Sequence, residues 1–397
     1  MIMGASDKTW LIDLARPATK LSGPWPTADQ VERDWPALHD PEAWERLIAT
    51  AQAHGLLPLV FSGLSSSEMA IPASVAERLR ELRRQNGQKN LFWTAELVRL
   101  SRLFEKLGVR AIPFKGPLLA QTLYGDFSLR QFQDLDILFD KKDIPKAYDI
   151  LTAEGYRSFP NMTSGKMRFL LRSGYHFPMG HPHSRIVLEA HWGFAQTYLP
   201  CRYSFASLWD RAVDLNIGGA HVRSLALEDL FVILCVHGFK HLWERLEWLV
   251  GAATLMNSDA FDWGRMMASA REAGSERIVR LSLCLFGEFY PESVPVEVLK
   301  DVRGDASLRE FAVELKDRLL AEKEWKADFR ETLTFYLRAE KNPARRFWMS
   351  ARYLKDAASP TVYEWKLVSL PDPLFFLYYP LRFLRLCIKY TRKALRC

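Results

Sequence analysis

Apolar residues recur at helical spacing from Asp40 to about Leu107, through PEAWERLIATAQAHGLLPLVFSGL and then PASVAERLRELRRQNGQKNLFWTAELVRLSRLFEKLG. Such spacing lays one apolar stripe along a helix. Pro41 after Asp40 and Pro72 before Ala73 read as helix starts, Gly55 and Gly108 as stops. The texture then changes. VRAIPF and LDILFD are short β-prone runs with the helical PLLAQTLY between them, followed by a helix in IPKAYDILTAEGY and a third strand in HSRIVLEAHW. From Leu225 the helical pattern returns, clearest in LEDLFVILCVHGFKHLWERLEWLVGAATLM, with amphipathic stretches to about Ala339.

The expected fold is therefore α+β: a small mixed sheet flanked by helical N- and C-terminal regions. The expected division is 1–108 helical, 109–215 the α/β core, 216–372 helical and 373–397 a basic amphipathic tail. No repeat, low-complexity tract or Gly/Ser linker separates these parts, so they are expected to pack together.

At 397 residues the chain can bury a sizeable core, and 48% hydrophobic with 25% charged residues is the balance of a folded protein. A net charge of +7 and pI near 9.1 favour an anionic partner without naming one. Cys201, Cys235, Cys284, Cys387 and Cys397 are scattered with no CxxC pair, which suits reduced thiols in the cytosol. The N-terminal stretch lacks a secretory pattern, and Gly4 is misplaced for myristoylation. No stretch is apolar enough to span a membrane, LPDPLFFLYYPLRFLRLCIKY being broken by proline and arginine. A cytoplasmic protein is expected, with peripheral contact at the inner membrane face through its tail.

The chemistry concentrates in FKGPLLAQTLYGDFSLRQFQDLDILFD. Side chains alternate along a strand, so Asp134 and Asp136 project to one side, roughly 7 Å apart. Two carboxylates with nucleotide phosphates suit a hard cation such as Mg2+ or Mn2+; the same pair also suits a solvated strand edge. Lys115 and Gly116, at a strand-to-helix turn, can offer an ammonium and backbone N–H groups to phosphate, and Arg130 is a fork-shaped donor nearby. Glu189, in VLEAHW, is a third acid or an exposed strand residue.

KGPLLAQTLYGDFSLRQFQDLDILF, VLEAHW and HGFKHLWERLEWL, in this order, resemble the bacterial nucleotidyltransferase-like proteins of the polymerase-β-type superfamily, over roughly Pro41 to Met256. The resemblance implies a minimal nucleotidyltransferase sheet and metal-dependent transfer of NMP from an NTP to a hydroxyl acceptor (sugar, peptide or protein). Asp134 and Asp136 would hold the metal on the NTP, Glu189 would place a second metal or activate the acceptor, and Lys115, Gly116 and Arg130 would grip the triphosphate. This sequence departs from the pattern at Pro117 after the turn glycine, in the long interval from Gly116 to Asp134, in Glu for Asp at 189, and at Gly251, where related proteins carry an acid.

His191 is a candidate substrate contact. His237 and His241 share a helical face and read as structural or pocket-lining residues, while His176, His181 and His183 fall in a loop-like stretch rich in Pro and Gly. Trp243 and Trp248 read as packing. No Ser-His-Asp or Cys-His signature, Walker A loop or GxGxxG run occurs. After Asp372 there is no acid, only Arg and Lys interleaved with apolar residues; this tail can lie on an anionic membrane, dock on its own helices or grip RNA, although nucleic acid is not the expected partner. Two other functions stay open: a sugar-nucleotide glycosyltransferase using Asp-x-Asp, which needs more βα units before the pair, and a non-catalytic nucleotide-binding scaffold at a membrane.

Overall fold

The computed structural model describes residues 5–15, 40–66, 71–321 and 327–394; Gly4, Arg396 and Cys397 lie outside them. The N-terminal region holds α1 (Ala5–Ala15), α2 (Pro41–Ala53), α3 (Leu57–Ser66) and the long α4 (Ala73–Lys106). The Asp40 carboxylate accepts from Glu42 N–H and caps α2, with Pro41 in the first turn. Both expected stops are found, α2 ending beside Gly55 and α4 beside Gly108.

The core follows as β1 (Ala111–Pro113), α5 (Gly116–Tyr124), β2 (Leu135–Phe139), α6 (Ile144–Ala153), α7 (Ser164–Ser173), β3 (His176–Gly180), β4 (Val187–His191) and α8 (Phe205–Arg211), then a hairpin of β5 (Val213–Ile217) and β6 (Ala220–Ser224). The sheet order is β1-β2-β4-β3, with β2 and β4 parallel and both outer pairs antiparallel. The α+β expectation, a small mixed sheet between helical regions, is what the structure shows.

Two details differ from the sequence reading. The stretch YHFPMGHPHSR is not all loop, because His176–Gly180 pairs along β4 as an edge strand, where Pro178 is tolerated. The β5–β6 hairpin turns through Gly218 and Gly219, a two-residue Gly-Gly signal flanked by alternating residues.

The C-terminal helices are α9 (Leu227–Lys240), α10 (Leu246–Met256), α11 (Trp263–Glu272), α12 (Glu276–Phe289), α13 (Val296–Arg303), α14 (Ala306–Leu320), α15 (Phe329–Arg338), α16 (Pro343–Ala358), α17 (Val362–Leu367) and α18 (Tyr378–Ala394). Helices α9 to α16 build one large core together with α1, α2 and α3. A second core fills one face of the sheet: Leu97, Leu100 and Phe104 of α4 and Ala147 and Leu151 of α6 meet Leu135, Ile137 and Phe139. Phe104 meets Phe139 edge to face at 4.9 Å between centroids. Each such large side chain contributes about 1.5–3 kcal/mol by leaving water, so this face is held by packing; from the opposite face Ile112 and Leu138 enter the large helical core, with polar residues beside them.

Candidate functional site

Alternation along β2 and β4 decides which residues meet. Leu135 and Ile137, with Leu188 and Ala190, enter the core of the packed face, so Asp136, Glu189 and His191 project from the other. The parallel register sets Asp136 beside Glu189 and Leu138 beside His191; the antiparallel register of β3 sets His176 beside His191.

Among the described residues, Asp136, Glu189 and His191 form a group whose ligand atoms lie within 4.8 Å of one another. His191 Nε2 is 2.9 Å from Asp136 Oδ1 and 3.2 Å from Glu189 Oε2, while Nδ1 is 3.2 Å from the Gly193 carbonyl. A ring whose Nδ1–H donates to that carbonyl directs the remaining nitrogen at both carboxylates. That nitrogen either carries a proton or faces a cation. His176 stacks on His191 at 5.0 Å and places Nε2 3.5 Å from Glu189 Oε1. The Asp136 side chain is 3% exposed and Glu189 26%, so Glu189 is the acid a substrate can reach.

Burial alone would raise the Asp136 carboxyl, but the Lys115 ammonium and the His191 hydrogen bond outweigh it and hold it down to about 2. Burial likewise opposes ionisation of Glu189, and hydrogen bonds from His176 and His191 keep it far below the ordinary range. His191 is raised in spite of its burial, through the same two carboxylates. Asp134 lies just ahead of β2, outside the close group, where burial and the neighbouring Asp136 charge push it up to about 6.

Lys115 stands at the residue before the first turn of α5, with Nζ 3.6 Å from Asp136 Oδ1 and 3.3 Å from His237 Nδ1. Burial, then Lys115 and Lys240, hold His237 well below its usual value, so the neutral ring accepts from the ammonium. Gly116 sits at φ 56, where a Cβ would come 3.3 Å from the Asp134 carbonyl oxygen. Only glycine fits there without strain, and the turn thereby joins the α5 N-terminus to the acid loop. Pro117, in the first turn, leaves the helix intact because its absent N–H has no intrahelical partner to lose.

The long interval from Gly116 to Asp134 has a physical account: it holds α5 and a helical turn at Phe127–Leu129 that α4 clamps. Asn90 Nδ2 donates to the carbonyls of Phe127 (2.6 Å) and Arg130 (2.7 Å), and Asn86 Nδ2 donates to that of Ser128 (2.9 Å). The Arg130 guanidinium has a carboxylate partner, Glu247 Oε1 at 2.7 Å, and Arg245 pairs with the same Glu247 at 3.0 Å. Gly251 lies where α10 meets α5, and a Cβ there would touch Leu123 at 3.4 Å, an ordinary van der Waals contact.

His241 is brought down to about 3 by burial and the Lys240 and Lys115 charges, and it stands with His237 against the Trp248 ring. His181 and His183 pack on each other, with His181 against Tyr156, away from the acids. Sequence reasoning gave no role to Lys240 and Tyr175. Lys240 Nζ is 3.2 Å from Tyr175 Oη, and burial together with Lys115 lowers it to about 8, opposed by Glu189 and Asp136. The signal was available: Lys240 stands three residues after His237 on one helix face.

Residues 40–291 match the family model described as "Uncharacterised nucleotidyltransferase". No curated protein matches the chain.

Proposed function

The chain belongs to that family of uncharacterised nucleotidyltransferases, a membership that implies a nucleotide substrate, and from this premise we propose that it moves an NMP group from an NTP to a hydroxyl acceptor. The observation that carries the reading is the register pairing of Asp136 with Glu189 beneath the Lys115–Gly116 turn.

The residues fit a divalent cation. The donor set is two carboxylates and an imidazole, and Asp136 Oδ2 is buried with no hydrogen-bond partner. Asp136 and Glu189, with Asp134 beside them, would hold Mg2+ or Mn2+, which when bound neutralises charge on the phosphates. Lys115, freed from Asp136, meets a phosphate oxygen. Lys240, buried and facing the same acids, supports the anionic nucleotide. The acceptor oxygen attacks the α-phosphorus, its bond to the bridging oxygen breaks and pyrophosphate leaves. Glu189, the more exposed acid, orients the acceptor hydroxyl, whose proton passes to water as the bond to phosphorus forms.

Arg130, engaged by Glu247, serves in this reading as a strut between the acid loop and α10. A glycosyltransferase would need several βα units ahead of the acidic pair, and ahead of β2 the described residues hold only β1. The scaffold reading retains one supporting observation: Lys115 and His191 already stand on Asp136, an arrangement that binds nucleotide without turnover if those contacts persist.

The test is calorimetric titration of NTP with and without Mg2+, on wild type and Asp136→Asn, followed by a pyrophosphate-release assay with candidate acceptors. Magnesium-dependent binding that the substitution abolishes supports the transferase reading. Binding indifferent to both would overturn it, and binding without pyrophosphate release from any acceptor class would favour the scaffold.

A further inference from the structure

A cavity of about 300 Å³ lies beside the edge strand β3, at the lower end of the size of small-molecule sites. Its walls are apolar and aromatic: Phe169 and Leu170 of α7, Tyr175 and Phe177 at β3, and Val362 and Trp365 of α17. No Lys or Arg is among its described lining residues, and burial raises the carboxyl of Asp356, the one acid among them, toward its neutral form. The α16–α17 wall is pinned by α18. Arg382 donates to the Ala357 carbonyl (2.9 Å) and pairs with the buried Glu364 (3.5 Å), and the Tyr378 hydroxyl donates to the Val368 carbonyl (3.0 Å) and accepts from Leu370 N–H (2.9 Å).

Three polar atoms on lining residues are buried without a hydrogen-bond partner: His176 Nδ1, Gln196 Oε1 and Trp365 Nε1. A buried polar group left unpaired is costly, so each calls for an occupant that pairs with it. His176 also links the cavity to the acids. Its Nε2 is 3.5 Å from Glu189 Oε1 and burial keeps the ring neutral, so Nε2–H donates to the carboxylate and Nδ1 is left as an acceptor. Two acceptors and an indole donor in an apolar chamber without cations suit a neutral molecule that carries hydroxyl groups.

The order of the sheet decides which substrate this is. Across β1-β2-β4-β3 come Lys115 just after β1, then Asp136, Glu189 and His176. The ammonium assigned to the triphosphate is at one end of that row and the cavity at the other; Lys240 is held on the Tyr175 hydroxyl and does not line the cavity. In-line displacement needs the attacking oxygen opposite the leaving pyrophosphate.

We propose, resting on the transferase reading, that this cavity holds the body of the acceptor, a neutral alcohol or phenol with an apolar frame rather than a sugar, and presents its hydroxyl to Glu189. There the hydroxyl oxygen bonds to the α-phosphorus as the bond to the bridging oxygen breaks, pyrophosphate leaves and the proton passes to water.

The test uses tyrosol, an aromatic alcohol, with glucose as the sugar control, on the full chain. Saturation-transfer NMR should show tyrosol bound and glucose unbound. Val362→Trp and Met162→Trp, each filling the cavity from a different stretch of its lining, should abolish the tyrosol signal while thermal unfolding and NTP titration with Mg2+ stay as in the wild type. With NTP and Mn2+ present, bound tyrosol should broaden in the wild type and stay sharp in Asp136→Asn. Absence of tyrosol binding, binding that both folded variants retain, or wild-type signals that Mn2+ leaves sharp would overturn the proposal while NTP titration leaves the transferase reading standing. Loss of NTP affinity in the filled variants would overturn it too, because the cavity would then take the base. If the wild type binds no NTP at all, the transferase reading falls and the acceptor assignment with it.

Discussion

Asp136 and Glu189 are register partners across the parallel strands β2 and β4, and both lean on one nitrogen of His191, at 2.9 and 3.2 Å. Without that nitrogen two neighbouring carboxylates, one of them buried, lose their shared donor. His191→Ala should therefore destabilise the metal-free protein by about 2–4 kcal/mol. Magnesium should raise the melting temperature of the variant more than that of the wild type, since a cation then stands in for the lost donor between the two carboxylates. Differential scanning calorimetry with and without Mg2+ checks this, and an equal rise in both proteins would show that the group does not take the ion.

Gly116→Ala is the sharpest test of the turn. At φ 56 an alanine pays the left-handed penalty, about 1–2 kcal/mol, and its Cβ presses on the Asp134 carbonyl at 3.3 Å. Denaturant unfolding should show a loss of that size. NTP affinity should fall as well, because the same contact moves the acid loop; a stable variant with full affinity would disconnect the turn from the site.

Much of this site was legible because strand alternation is local. LDILF and VLEAH each send their polar residues to one side, so Asp136, Glu189 and His191 share a face, whereas Asp134, expected to pair with Asp136 on the strand, precedes β2 and stays outside the close group. The register that pairs Asp136 with Glu189 is a long-range fact, set by turns and packing between the strands. Arg130 shows the limit more clearly. Its charge suggested phosphate, but its partner Glu247 is far along the chain in α10, and no local pattern reports that contact. The tail was read as basic and apolar; only the structure shows that its cations turn inward on Glu364.

Glu364 gives the tail a pH dependence with a definite sign. It is fully buried, and although burial opposes its charge, the Thr361 hydroxyl and N–H, then Arg385 and Arg382, hold its carboxyl below the ordinary value of 4.5. A carboxyl depressed on folding stabilises the fold fully above the unfolded value and loses that contribution as pH falls through the folded one. Attachment of α18 should therefore be intact at neutral pH and weaken progressively below about pH 4.5. Glu364→Gln should imitate the acid state at pH 7, costing about 1–3 kcal/mol and opening the 372–394 segment to limited proteolysis. Equal proteolysis of variant and wild type at pH 7 would mean that Tyr378 and Arg382, through their backbone contacts, suffice.

The strut assigned to Arg130 separates from a phosphate-gripping role by a double-mutant cycle. Arg130 and Glu247 are both largely buried, and Asn86 and Asn90 fix the backbone that carries the arginine. Arg130→Ala and Glu247→Ala should each destabilise, and the double variant should lose less than their sum, with a coupling of about 1–3 kcal/mol. Arg130→Lys keeps the charge but not the fork, so it should lose stability while NTP affinity stays within about threefold. Because Arg245 also pairs with Glu247 at 3.0 Å, that pair survives Arg130→Ala but not Glu247→Ala, so the glutamate variant should lose more stability than the arginine one. If instead Arg130→Lys unfolds like the wild type but loses NTP affinity, the guanidinium leaves Glu247 for the triphosphate and the strut assignment falls.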